Sequence, residues 1–173
     1  MYKFFRNLFK KKHNSDLYNN ILYLSRNIFF YEKLGLPDTF QSRIHLMFFH
    51  FALLLIIAKK RGTIFDQNQY DFFLNNIEHN LRELGYGDVS VNSKMKDLNK
   101  ILYDILLKIE DRKNSKSRNF IVNERIVIKY FDTIKLDNKQ KINQFQLYFV
   151  KFFDFCFELS DENMLKHLKK FNY

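Results

Sequence analysis

The chain carries very few residues that would break a helix. Four glycines and one proline occur in 173 residues, and all five fall between segments whose apolar residues recur every three or four positions. Sheet-rich folds consume turn glycines and phosphate-cradling loops are built from them, so this scarcity argues against both. The pattern predicts an all-α fold, a single-domain bundle of about seven helices.

The punctuation places the helices. Asp16 can cap a first helix running to about Lys33, with Leu17, Ile21, Leu24 and Ile28 along one face. Gly35 ends it, Pro37 breaks the chain, and Asp38 or Thr39 caps a second helix to about Lys60, apolar nearly all round from Ile44 onward and therefore central. Gly62 closes that helix and Asp66 caps a third, striped by Tyr70, Phe73, Ile77, Leu81 and Leu84 up to Gly85. A fourth, striped by Val91, Met95, Leu98, Leu102, Ile105 and Ile109, follows so short a linker that the two should pack antiparallel. Asp111 to Asn119 is a polar loop. Beyond it lie a short helix from about Asn123 to Thr133, a long one capped by Asp137 and running to Leu159, and a last one capped by Ser160.

Composition narrows the class. Apolar residues make up 46% of the chain and aromatic residues 18%, against 28% charged, which excludes a disordered chain. The lone Cys156 cannot form an internal disulfide and sits among Phe153, Phe155 and Phe157, a setting that makes it a structural thiol and a poor nucleophile. The histidines, His13, His45, His50, His79 and His167, form no metal-binding spacing, and His45 and His50 fall on different faces of their helix. Gly85-Tyr86-Gly87 follows a helix and lacks the third glycine of a dinucleotide loop, so it reads as a helix end plus turn. No catalytic constellation stands out, and neither an enzyme nor a cofactor is expected.

Charge points outward to partners. The formal net charge is +10. Part of this Lys-, Asn-, Ile- and Phe-rich bias is what an AT-rich genome would encode. Residues 1–16 form a segment apart from the domain at 17–173: Lys3, Arg6, Lys10, Lys11 and Lys12 alternate with Phe4, Phe5, Leu8 and Phe9 as on a helix lying on an anionic membrane, the alternative being a frayed basic terminus. The apolar run Leu46 to Ala58 is short for a membrane span and contains His50, so it reads as a core helix. Lys113 to Arg118 and Lys166 to Lys170 could touch RNA phosphates or anionic lipid, or simply face solvent. Phe145 to Leu159 has more apolar positions than one buried stripe needs, leaving either an aromatic docking face or core.

Two motifs are specific. FFYEKLGLPDTFQSRIHLMFFH (Phe29 to His50) and NLRELGYGDVSVNSKMKDL (Asn80 to Leu98) resemble, in the right order, the signature blocks of the ubiquinol-cytochrome c chaperone family, with Leu84 and Tyr86 departing from its usual Met and Val. Tyr103 matches a further aromatic position, and the similarity would cover about Leu17 to Leu159. The resemblance implies an α-helical, non-catalytic assembly factor for the respiratory cytochrome bc complex. It further implies binding of newly made cytochrome b, a small partner protein and the ribosome. A chain starting this close to the family domain leaves little room for an organellar transit peptide, so a peripheral place on the cytoplasmic side of a bacterial inner membrane is expected. The rival reading is an RNA- or ribosome-binding module acting through the basic stretches.

Within the motifs, Gly35, Pro37 and Asp38 should make a sharp corner, with Asp38 capping the next helix. Arg43, Met47 and His50 share one helix face. Arg82, Glu83 and Asp88 could pair with them in a buried network, or the set could stay open as a polar docking surface; with Lys94 and Tyr103 these are the candidate client-binding residues.

Overall fold

The most apolar run of the sequence becomes the axis of the fold. The computed structural model describes residues 16–109, 122–134 and 138–173, and among them helices are joined by turns with no strand. The elements are α1 (Asp16–Ser25), a π turn (Phe29–Lys33), α2 (Phe40–Lys60), α3 (Gln67–Glu83), α4 (Asp88–Lys108), α5 (Glu124–Tyr130), α6 (Lys139–Glu158), α7 (Asp161–His167) and a closing 3-10 turn (Leu168–Lys170). Among the described residues the fold is the all-α, single-domain bundle of seven helices that the sequence pattern predicts.

α2 is central because its neighbours cover it on every side: α1, α4 and α6 all pack against it. Residues from Leu46 to Leu54 are no more than 1% exposed. The helix is long and apolar enough to cross a membrane by length and composition, yet 72% of its most apolar window is buried inside the bundle. α6 supplies the opposing surface. Phe145 meets Phe49 edge to face at 5.2 Å and lies 4.8 Å from Phe149, while Phe51 stacks on Phe73 of α3 at 4.1 Å. Such ring pairs add roughly 0.5–1.5 kcal/mol each beyond the area they bury.

α6 is therefore core rather than an aromatic docking face. Phe145, Tyr148, Phe149, Phe152, Phe153 and Cys156 are fully buried, Phe157 stacks on Phe153 and Phe155 leans on Phe171; Leu147 remains 48% exposed. Burial pushes the Cys156 thiol far up, which fits an unreactive core side chain.

Boundaries differ from the sequence expectation at the end of the first helix and the start of α6. The first helix stops at Ser25 instead of Lys33. Ser25 Oγ donates to the Leu22 carbonyl at 2.8 Å and Asn27 Oδ1 accepts from the Phe29 amide at 3.0 Å, local bonds that compete with helix continuation. The chain then turns through a π geometry, Leu34 N–H to Phe29 O, which seats Phe30 in the core and leaves Ile28 63% exposed. Of the two caps expected for α2, Thr39 takes the role, its hydroxyl accepting from the Ser42 amide at 3.1 Å, and Asp38 pairs elsewhere. Asn138 caps α6, one residue later than expected, by accepting from Lys141 N–H.

The ends of α2 and α3 share one device. Thr63 N–H bonds to Ala58 O and Gly62 N–H to Lys59 O; likewise Tyr86 N–H bonds to Leu81 O and Gly85 N–H to Arg82 O. Gly62 and Gly85 hold φ of 70° and 89°, left-handed values that a side chain would strain.

Candidate docking cleft at the N-terminal end of α2

The turn at Gly85 reverses the chain so that Tyr86 comes back beside the first turns of α2. Leu84 is thrown outward to 57% exposure instead of ending the inward stripe. Between α2, α3 and α4 this leaves a cavity of about 410 Å³, whose walls include Phe40, Ile44, His45, Leu81, Tyr86 and Lys94. A second cavity of about 270 Å³ lies between α1, α2 and the end of α3, bounded by Tyr18, Arg26, Arg43, Met47, Glu83 and Leu84. Phe40 and Ile44 line both, so the first two turns of α2 form the wall between two halves of one cleft.

The cleft gathers some of the predicted residues and separates others. Arg43 and Met47 meet Glu83 in the smaller half, and Lys94 joins the larger half with its ammonium 4.5 Å from the Tyr86 ring centre. Met47 is only 1% exposed, so it contributes wall and little contact surface. His50 is 0% exposed and faces the opposite side, toward α6, so it belongs to the core and has no surface to offer a client.

The single polar network is also corrected. Arg43 forks onto Asp38, Nε to Oδ1 and Nη2 to Oδ2 both at 2.7 Å, at the surface. That hydrogen bonding holds the Asp38 carboxyl below its ordinary value and the guanidinium above its own. Arg82 instead pairs with Glu78 at 2.8 Å and with Asp88 across the α3–α4 turn. Tyr103 is 55% exposed on α4. These are two solvated ion-pair clusters flanking the cleft.

His45 is the residue that sequence reasoning placed only as an unpromising metal ligand. It is 3% exposed; its Nδ1 lies 3.1 Å from the Tyr130 carbonyl, which fixes Nδ1–H as the donor. Burial pushes its pKa down, so the ring is neutral at pH 7 and Nε2 is a lone-pair acceptor with no hydrogen-bond partner. A paired helix of Phe, Ile and His residues gave no signal separating His45 from core.

The basic N-terminal residues Lys3, Phe4, Phe5, Arg6, Phe9, Lys10, Lys11 and Lys12, and the run Lys113 to Arg118, lie outside the described residues. Of the C-terminal run, Lys166 is paired with Glu162 at 2.6 Å.

Comparison with curated proteins and with solved structures gives no match. The sequence model of the ubiquinol-cytochrome C chaperone family matches residues 32–120, just over half of the chain. That stretch runs from the π turn through all of α2, α3 and α4, and every residue that lines the larger half of the cleft falls inside it. The chain belongs to the ubiquinol-cytochrome C chaperone family.

Proposed function

We propose that this protein is a non-catalytic assembly chaperone that holds a segment of newly made cytochrome b in the cleft at the N-terminal end of α2 until other components of the cytochrome bc complex arrive. The observation that carries the reading is the coincidence of the family-matched stretch with the walls of the larger half of the cleft. The aromatic α6, which is core, lies outside that stretch. Apolar walls suit a hydrophobic client segment, and Arg43, paired with Asp38, lines the smaller half and gives it a polar contact that fixes register.

In this reading the basic segment at 1–16 brings the protein to the cytoplasmic face of a bacterial inner membrane, where the client emerges. A small partner protein and the ribosome are further proposed contacts. Affinity capture of the full-length chain from native membranes should enrich cytochrome b or another bc-complex subunit. A capture without any such enrichment contradicts the proposal. A nucleic-acid function through the basic stretches would instead show RNA binding that weakens steeply as salt rises, whereas apolar docking persists.

A further inference from the structure

α4 carries two seams. Its inward stripe, from Val91 to Ile109, steps by four and three residues in turn, and the helix packs on α2 and α3. Val89, Ser93, Lys96, Lys100, Tyr103 and Leu107 step in the same rhythm two residues earlier, which sets them roughly 200° round the helix, on its outer side. All six are exposed, Val89 at 85% and Leu107 at 81%. Single exposed apolar residues are ordinary on a surface, but an alternating four-three spacing sustained along a helix is the register in which a second helix packs against it. Of the nine large apolar side chains exposed among the described residues, five lie between Leu84 and Leu107, inside the family-matched stretch.

The composition of the outer seam selects its occupant. Val89 at one end and Tyr103 with Leu107 at the other are apolar, and Lys96 and Lys100 hold the middle. Lys96 has no ion pair among the described residues, Lys100 meets Asp97 at 2.9 Å in solvent, and Asp104, beside the seam, is taken by Lys108 and Lys129. A second copy of the chain does not fit. Antiparallel pairing sets Lys96 against Lys100 of the other copy, and parallel pairing sets each lysine against its equivalent, so like charges meet either way. The chain's own segments at 1–15 and 110–121 do not fit either: the first holds Lys3, Arg6, Lys10, Lys11 and Lys12 with no acid, and the second holds four cations against two acids. An anionic membrane suits lysines along the edges of an apolar face, whereas here they interrupt its middle. What matches is an acidic helix.

We infer that the outer face of α4 is a docking surface for an amphipathic helix of the bound bc component, roughly 27 Å long, apolar at both ends and bearing Asp or Glu opposite Lys96 and Lys100. The seam begins three residues after Tyr86 of the cleft wall, so the two surfaces are continuous. The cleft takes an apolar segment, and α4 takes the water-side helix next to it. The inference rests on the assembly reading for the identity of the component; the chemistry of the helix follows from the seam.

The test captures bc subunits from native membranes with the full-length chain. Lys96→Glu combined with Lys100→Glu should lower the captured amount about tenfold at an unchanged melting temperature, since neither lysine holds more than a solvated pair. Lys96→Arg combined with Lys100→Arg keeps the charge and should capture as the wild type does. Full capture by the glutamate variant, or equal loss in the arginine variant, overturns the α4 surface and leaves the assembly reading standing. A wild-type chain that captures no subunit overturns the assembly reading and with it the identity of the occupant. A photoreactive residue in place of Tyr103 locates the contact directly. An adduct with an Asp- or Glu-bearing segment of a bc subunit is expected, and an adduct with lipid, with nucleic acid or with a second copy of this chain in its stead overturns the inference.

Discussion

The Tyr148 hydroxyl donates to Nε2 of His50 at 3.0 Å, with both side chains fully buried between α2 and α6. The other ring nitrogen donates to the Leu46 carbonyl one turn back, at 2.7 Å, so the Nδ1–H tautomer is fixed and neither nitrogen is left over. The pair registers the two central helices against each other, and it titrates only when the fold gives way.

Burial pushes the His50 pKa down to about 3. Between roughly pH 6.5 and that value the unfolded chain binds a proton that the native state refuses, so stability is full above about pH 6.5 and falls as pH drops, by up to about 1.4 kcal/mol per pH unit. His45, also shifted down by burial, acts with the same sign. Urea midpoints at pH 7, 6 and 5 should decline, and His50→Gln should flatten the decline; an unchanged slope in the variant would contradict the assignment.

Tyr148→Phe keeps the ring contacts and leaves Nε2 of His50 without a donor. The expected loss is about 1–3 kcal/mol by urea unfolding, with no change in helix content by circular dichroism. A neutral substitution would mean that the hydrogen bond does not lock the helices.

Arg61 ties the end of α2 to the end of α6. One guanidinium nitrogen donates to the Phe157 carbonyl at 2.7 Å and to that of Cys156 at 3.2 Å, another meets Asp161, and the group sits 5.3 Å from the Phe157 ring centre. These carbonyls belong to the last turn of α6, which needs partners outside the helix. Arg61→Ala should cost about 2–3 kcal/mol, well beyond a surface ion pair, seen as a lower urea midpoint at unchanged m.

Arg43→Ala makes the contrasting case. Its fork with Asp38 is solvated, so removal should cost less than about 1 kcal/mol of stability. In the assembly reading it should nonetheless reduce cytochrome bc accumulation in cells, because Arg43 lines the smaller half of the cleft. A variant that loses stability and assembly together would make Arg43 structural only.

The helices were legible because Gly62 and Gly85 end them through φ values that only glycine holds at ease, and because α2 is apolar all round. The break at Ser25 was not, since Ile28 continues the apolar spacing and the competition comes from the Ser25 and Asn27 side chains. The motif residues were found as a set, but helix-face arithmetic cannot tell which neighbour a face meets. Met47 and His50 share a stripe with Arg43, yet the π turn and α6 close over His50 while Arg43 emerges beside Asp38. His45 stayed hidden because its unpaired nitrogen depends on α5 fixing the ring from behind, a relation between segments far apart in sequence.

The central claim is that the cleft at the start of α2 receives a cytochrome bc component, and site-directed photocrosslinking in native membranes tests it most directly. A photoreactive residue at Val89, beside the cleft, should give adducts containing cytochrome b or another bc subunit, while the same residue at Leu147, exposed on α6, should not. Adducts from both positions alike, or none with any bc subunit from Val89, would contradict the account.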